Sequence, residues 1–303
     1  MTFPSVPLTA LDELWFQVTG TRCNLACTHC FISCSPGNTA FGDLSLEAIR
    51  EQLAESAALG VKEYYFTGGE PFLHPRMIDI LELTLGYGPA TVLTNGTLLT
   101  EYVARELARL DAASPYSLEL RVSIDHFDEA ANDAIRGRGA FRGALRGASR
   151  LAAAGLLPII TAMRTWEPEQ DLAAIEAFTR LLQAQGISRP RFKFLPSLRI
   201  GAERRRTHGY APHERVTAGM LDGYPVDQLL CSHSRMVTDR GVHVCPILIE
   251  ARDSLLGTSL AEACRPYALA HQACYTCYLY GEICSNPGRG RMEAPATAQG
   301  RPS

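Results

Sequence analysis

The sequence predicts an α/β protein: a parallel sheet of six strand–helix units, followed by a small cysteine-rich C-terminal domain. Three observations predict it. Short β-type runs alternate with helical patterns from Leu14 to about Leu195, and such alternation implies parallel strands joined by right-handed crossovers. The alternation stops near Ile200. Beyond it the chain turns polar and then cysteine-rich, with six of its ten cysteines between positions 231 and 284. Six units suit a partial barrel or an open sheet, and periodicity alone does not choose between them.

The elements follow in order. "LWFQVT" reads as the first strand. "SLEAIREQLAESAALG" reads as a helix with Ser45 as N-cap, apolar residues at Ala48, Ile49, Leu53 and Ala57, and Gly60 closing it. "VKEYYFT" is the second strand, "HPRMIDILELTLGYG" the second helix, "ATVLTN" the third strand and "TEYVARELARL" the third helix. "LELRVSID" is the fourth strand, and Glu129 to Gly155 carries helix. "LPIITAMRT", "DLAAIEAFTRLLQAQG" and "RPRFKFLPSL" supply the fifth strand, a strongly periodic helix and the sixth strand. Residues 1–13 form a lead-in, 14–200 the repeating core, 201–286 the cysteine domain and 287–303 an aperiodic, flexible tail. Within the cysteine domain, "RMVTDRGVHVC" reads as a hairpin turning at Asp239–Gly241.

Composition narrows the function. With 46% apolar residues the chain can bury a sizeable core, and a formal charge of −3 without a long basic run argues against non-specific nucleic-acid or anionic-membrane binding. No stretch approaches the roughly twenty apolar residues of a membrane span, and "MTFPSVPLTALDELW" lacks the layout of a signal peptide. A cytoplasmic protein is expected. In a reducing compartment, clustered cysteines point to metal ligands or catalytic groups rather than disulfides.

The first cluster is "CNLACTHC", where Cys23, Cys27 and Cys30 follow the spacing C-x3-C-x2-C directly after the first strand. Parallel sheets collect functional groups at that end. Grouped thiolates favour iron–sulfur clusters or zinc. A closed 4Fe-4S cluster takes four thiolates, so either Cys34 completes the set or one iron stays open to a reactant.

This spacing, with Asn24 and Leu25, resembles the radical S-adenosylmethionine (SAM) enzymes. The resemblance implies a partial (β/α)6 TIM-type barrel and a 4Fe-4S cluster on Cys23, Cys27 and Cys30. The open iron would bind SAM, whose one-electron cleavage yields a 5′-deoxyadenosyl radical that takes a substrate hydrogen. Cys34 then becomes a surplus packing thiol. The likeness extends to "FTGGEPFLHP", "LTNGTLL", "VSID" and "IRGRGAFRGALRGASRLAAAGL". It implies that Gly68 and Gly69 admit the ligand to the backbone and that Glu70 accepts from the SAM ammonium. Asn95 would lie near the nucleoside, and Ser123 and Asp125 would face the ribose hydroxyls or methionine carboxylate. The fifth strand lacks the Gly-rich adenine pattern of many members. Arg164 at its end suits either a ligand carboxylate or a surface salt bridge. His29 and His74 are expected to serve packing.

The late cysteines, Cys231, Cys245, Cys264, Cys274, Cys277 and Cys284, resemble the SPASM/twitch-like extensions that hold auxiliary clusters. Two closed clusters need eight cysteines, so one auxiliary 4Fe-4S cluster is expected on Cys231, Cys245, Cys274 and Cys277, with Cys284 as a substitute. Cys264 is expected to be structural. A zinc site is the alternative, joined by His233, His243 or His271. The Tyr275, Tyr278 and Tyr280 cluster is expected to pack around the metal.

An auxiliary cluster implies an oxidoreductase, modifying a peptide or protein side chain. The alternatives are oxidation or rearrangement of a small metabolite, such as an aminosugar alcohol or nucleotide, and a non-catalytic cluster or zinc carrier. The resemblance also implies an electron donor such as flavodoxin or ferredoxin. Because the core begins near residue 14, a separate leader-peptide-binding protein or a short substrate is expected.

Overall fold

The computed structural model describes residues 3–281 and 283. Cys284 and the tail therefore lie outside the described residues. Five strand–helix units and a sixth strand form the core: β2 (Glu13–Gln17), α1 (Leu46–Ala58), β3 (Glu63–Thr67), α2 (Met77–Thr84), β4 (Ala90–Thr94) and α3 (Glu101–Ala113). Then come β5 (Leu118–Ser123), α4 (Glu129–Arg136), α5 (Ala140–Ala153), β6 (Ile159–Met163), α6 (Asp171–Ala184) and β7 (Arg191–Leu195). The short β1 (Ser5–Val6) precedes them.

Local chemistry explains most boundaries. Ser45 caps α1 by accepting from the Ala48 amide, and Thr100 and Asp128 do the same for α3 and α4. The helix read across Glu129–Gly155 is two helices. Gly137 and Gly139, both at positive φ, break it.

β2 to β7 are parallel and adjacent in chain order. Parallel strands covered on both faces are buried along their length; β2 is buried at all five positions, its apolar Leu14, Trp15 and Phe16 flanked by the buried polar Glu13 and Gln17. In-register neighbours stack: Trp15 on Tyr65 at 4.3 Å between ring centroids and Phe16 on Phe66 at 5.4 Å.

After β7 come α7 (Glu203–Thr207), β8 (Ser234–Thr238), β9 (Gly241–His243), β10 (Leu255–Gly257), α8 (Leu260–Ala263), β11 (Tyr267–Ala268) and α9 (Ala273–Tyr280). The expected hairpin is β8–β9, but β8 also pairs in parallel with β2, opposing Ser234 to Glu13. One nine-stranded sheet results, in the order β10-β9-β8-β2-β3-β4-β5-β6-β7. The C-terminal segment thus continues the core sheet at its first strand. β1 pairs with β11, strapping the lead-in to the same segment.

At the other edge Phe178 of α6 is fully buried, with Phe127, Trp166, Phe192 and Phe194 around it at 5.8–6.4 Å. Phe178→Ala removes the centre of this cluster. It should cost about 3–5 kcal/mol, read as a lowered urea midpoint and melting temperature.

Candidate functional site

The loop from Thr19 to Phe41 carries the first three cysteines over the C-terminal ends of the strands. A cavity there is lined by Cys23, Cys27, Cys30, Gly68, Gly69, Asn95, Ser123 and Asp125. Eight of the nine expected cluster and SAM residues thus come together from β2, β3, β4 and β5 ends. Leu25, Phe31, Ile32 and Leu198 supply apolar wall, and Arg136, Thr161 and His29 supply further polar wall.

The glycines explain how the loop sits so close. A Cβ on Gly69 would lie 2.0 Å from the Arg22 carbonyl oxygen, and one on Gly68 would lie 2.4 Å from Thr19 Oγ1. Their missing side chains admit the cysteine loop itself, beyond the ligand access the sequence suggested. Gly147 of α5 works likewise, its would-be Cβ 2.1 Å from the Gly96 carbonyl. That approach seats α5 against the turn after β4.

Glu70 is fully buried and is absent from the cavity wall described above. Its Oε1 accepts from Thr94 Oγ1 at 2.6 Å and the Phe72 amide at 3.1 Å, and its Oε2 accepts from the Asn95 amide at 2.7 Å. The side chain fastens the end of β3 to the end of β4, where the sequence suggested a contact to an ammonium. Burial pushes its carboxyl pKa up, against these hydrogen bonds. Asn95 continues the chain of contacts: its Nδ2 donates to Asn24 Oδ1 at 2.8 Å, and its Oδ1 accepts from the Thr97 amide and hydroxyl.

Asp125 is also fully buried. Its Oδ2 meets His29 Nε2 at 2.5 Å and Arg136 Nε at 2.6 Å, while Oδ1 accepts from the Met163 amide at 2.9 Å. Burial opposes its charge, but the Arg136 guanidinium and His29 outweigh burial and hold it well below the usual carboxylate range. His29 therefore does more than pack. Arg136, from the last turn of α4, was not singled out from sequence; its only signal was its place in "IRGRG". His74 bonds the Leu44 carbonyl at 2.9 Å and accepts from the Arg76 amide. Arg164 pairs with Asp171 through two bonds of 3.0 and 2.7 Å, the salt-bridge alternative.

The thiols differ in acidity. Burial pushes Cys23 up to about 12 and Cys27 up to about 11. The Cys34 thiol donates to Cys30 and holds it down at about 6, while Cys34 itself is raised. Loading a metal on Cys23 and Cys27 must therefore release protons. Among the described residues, no three His, Cys, Asp or Glu side chains converge as around a single ion. On the wall, His29 Nδ1 and Thr161 Oγ1 are buried without a hydrogen-bond partner. Buried polar atoms are ordinarily satisfied, so this wall suits a polar ligand. Three thiols beside such a wall fit an iron–sulfur cluster with a polar organic cofactor.

A family model for the radical SAM superfamily matches residues 18–182. The chain belongs to the radical SAM superfamily. A 4Fe-4S cluster and SAM are the cofactors of this family. The mycofactocin maturase MftC of Mycobacterium tuberculosis is 31% identical over 166 residues, covering 54% of this chain and 40% of the relative. GTP 3′,8-cyclase of Chlorobaculum tepidum is 28% identical over 229 residues, covering 74% of this chain and 65% of the relative. This chain thus matches less than two thirds of either relative. Among solved structures, Streptococcus suis SuiB bound to S-adenosylmethionine aligns with a TM-score of 0.60 at 16% identity, over 81% of this chain and 63% of that one. That likeness is one of fold, and it establishes the partial-barrel type of α/β architecture that six strand–helix units left open.

A second cavity lies under the C-terminal segment. Cys231, Cys245, Cys274 and Cys277 line it together, with Leu229, Leu248, Tyr267 and other apolar side chains. Cys274 and Cys277 are three apart on α9, hence on one face. Burial pushes Cys231 and Cys274 up, and the neighbouring thiols add to it. The three expected histidines stand off this wall: His243 bonds Ser254 at 2.8 Å, His271 bonds Asp253 at 2.8 Å and His233 contacts Ser232 at 3.2 Å. Cys264 is exposed at the C-terminal end of α8, outside the cavity. That exposure corrects the structural role expected for it. Tyr278 stacks between Tyr224 and Tyr275, while Tyr280 is 56% exposed. Beside Cys231, the fully buried Arg235 donates to the carbonyls of Ala263, Cys231, Ser234 and Arg265 at 2.6–2.9 Å.

Two outcomes follow from the first cavity. Because Asp125 has a folded pKa below its unfolded one, its stabilisation is complete above about pH 3.9 and is lost as pH falls from there. Asp125→Asn should cost roughly 3–5 kcal/mol at neutral pH by leaving Arg136 buried and unpaired, and should flatten the acid limb of stability below about pH 4. Urea titrations at stepped pH read both effects. Gly69→Ala should push the cysteine loop off β3, so the anaerobically reconstituted variant should carry fewer irons per chain than wild type.

Proposed function

We propose that this chain is a radical SAM oxidoreductase that modifies a peptide or protein side chain oxidatively, aided by one auxiliary 4Fe-4S cluster. One observation carries the reading. Cys245 lines the second cavity while the next residue, Pro246, lines the first. Consecutive residues of the chain thus line the two thiol-lined cavities. When bound, the cluster on Cys23, Cys27 and Cys30 and its SAM supply the 5′-deoxyadenosyl radical that removes a substrate hydrogen. The chain's own part is positional. Gly68 and Gly69 hold the thiol loop close, while Asn95, Ser123 and the Asp125–His29–Arg136 group present fixed polar wall. Leu25, Phe31, Ile32 and Leu198 exclude water.

A second cluster in the neighbouring cavity would be suited to accept the electron left on the substrate, making the net reaction an oxidation. Four thiols in an apolar cavity without a histidine on its wall favour this over a mixed cysteine–histidine zinc site, though a four-cysteine zinc site shares that donor set. Peptide substrates are supported by likeness to a mycofactocin maturase and to SuiB, which has been solved with its precursor peptide SuiA. On this reading a flavodoxin or ferredoxin supplies the electron in the cytoplasm, and a separate protein presents the leader peptide. A small-metabolite substrate is the second reading, favoured by the longer match to GTP 3′,8-cyclase. Under the carrier alternative, the reduced protein would leave SAM intact.

Replacing Cys23, Cys27 and Cys30 with Ala together should leave about four irons per chain after anaerobic reconstitution and abolish production of 5′-deoxyadenosine. About one zinc in their place would make the late cysteines structural and remove the case for oxidation. Wild type, reduced with dithionite, should release 5′-deoxyadenosine and methionine in equal amounts.

A further inference from the structure

The outer face of the cysteine loop is as informative as its inner one. Cys27 and Cys34 line the SAM cavity, and both also line a separate groove that opens outward. The loop is therefore one residue thick at this point. Thr28, Ser33, Ser35, Arg205 and Arg206 form the rest of the groove's polar lining.

The arginines belong to α7, the sequence "ERRRT". α7 is pinned to the cysteine loop at its start, where the Ala202 amide donates to the Cys30 carbonyl at 2.9 Å. A Cβ on Gly201 would lie 2.3 Å from the Phe31 carbonyl oxygen, so the two segments touch along their backbones. Arg204, Arg205 and Arg206 are all exposed. Arg206 holds the buried Glu203 at 2.6 Å. Arg204 and Arg205 have no ion-pair partner among the described residues. A chain of net charge −3 thus concentrates unneutralised positive charge beside a groove that a thiol of the first cluster, Cys27, also lines.

We infer that this groove is where an acidic one-electron donor protein of the flavodoxin or ferredoxin class docks to reduce the cluster on Cys23, Cys27 and Cys30. The inference rests on the radical SAM reading above. Charge complementarity accelerates such encounters and sets their salt dependence. One electron leaves the reduced flavin and one arrives on the cluster; no bond forms and no proton crosses. Small reductants need no docking surface.

The test compares wild type with Arg205→Glu and Arg205→Lys, using purified flavodoxin. Arg205 is exposed and unpaired, so its substitution should leave the fold intact. Charge reversal should weaken salt-sensitive binding of oxidised flavodoxin about tenfold, and slow flavodoxin-driven release of 5′-deoxyadenosine to a similar degree. Dithionite-driven release should not change, and Arg205→Lys should retain most of the binding. Unchanged flavodoxin binding in Arg205→Glu overturns the docking site. So does an equal loss with both reductants, which would assign Arg205 to the integrity of the cysteine loop. Loss of precursor-peptide binding with flavodoxin binding intact would overturn it in favour of a substrate surface. A wild type that fails to cleave SAM with dithionite overturns the radical SAM chemistry instead, and flavodoxin binding still reads the groove on its own.

Discussion

Everything in the site hangs on a backbone-to-backbone contact, the approach of Gly69 to the Arg22–Cys23 peptide. A Cβ there would lie 2.0 Å from one carbonyl oxygen and 2.6 Å from the Cys23 nitrogen. This closeness puts the first cysteine directly over the end of β3. It also places the Glu70 amide where it donates to the Arg22 carbonyl at 3.2 Å. From Glu70 the restraint passes through Thr94 and Asn95 to Asn24, which returns it to the cysteine loop. Farther along, Thr28 donates to the Ile135 carbonyl and Cys30 accepts from Ala202. The loop lacks regular secondary structure, yet it is held from β3, β4, α4 and the start of α7. A site that must present three thiolates at fixed positions needs that redundancy.

The two cavities solve the cost of buried charge in different ways. In the first, the Asp125 carboxylate meets the Arg136 guanidinium, so charge is offset by charge, and His29 gives it a further hydrogen-bond partner. The pair is stable only as a pair, because losing Asp125 or Arg136 leaves an uncompensated buried ion. Beside the second, Arg235 is met by a ring of carbonyl oxygens, with the Cys231 thiol, pushed up by burial, nearby. Carbonyls satisfy its hydrogens but supply no full negative charge. The thiols of Cys231 and Cys245 are the anionic groups that would, once deprotonated on a metal.

Much of this was legible in the sequence, for a reason that particular residues make plain. Ser45, Thr100 and Gly60 act within a few residues of where they stand, and so do the apolar periods of α1 and α6. Local rules therefore found the six core strands, most of the core helices and the three thiols. The joining of β8 to β2 was not legible, since it pairs residues more than two hundred apart. Arg136 and His29 looked ordinary because their partner, Asp125, belongs to another element. α9 was hidden too: "ACYTCYLY" has no apolar stripe, and its aromatic and cysteine content favours helix weakly. What makes it a helix is the packing of Cys274 and Cys277 into the second cavity. The glycine pair reads in the sequence as clearance for a ligand, whereas in the fold that clearance admits the cysteine loop itself.

The β8–β2 pairing has a consequence for the chemistry. It brings the β8–β9 hairpin beside the strand that launches the cysteine loop, and the chain leaving β9 then runs Cys245, Pro246, Ile247. Pro246 faces the cavity of Cys23, Cys27 and Cys30, while its neighbours on either side face the other. Anything held against Pro246 is one residue from a thiol of the second set. A long linker between two domains could not fix such a separation, but a shared sheet can. The wall between the cavities thus follows directly from a strand of the core sheet, β9, which ends at His243 two residues before Cys245.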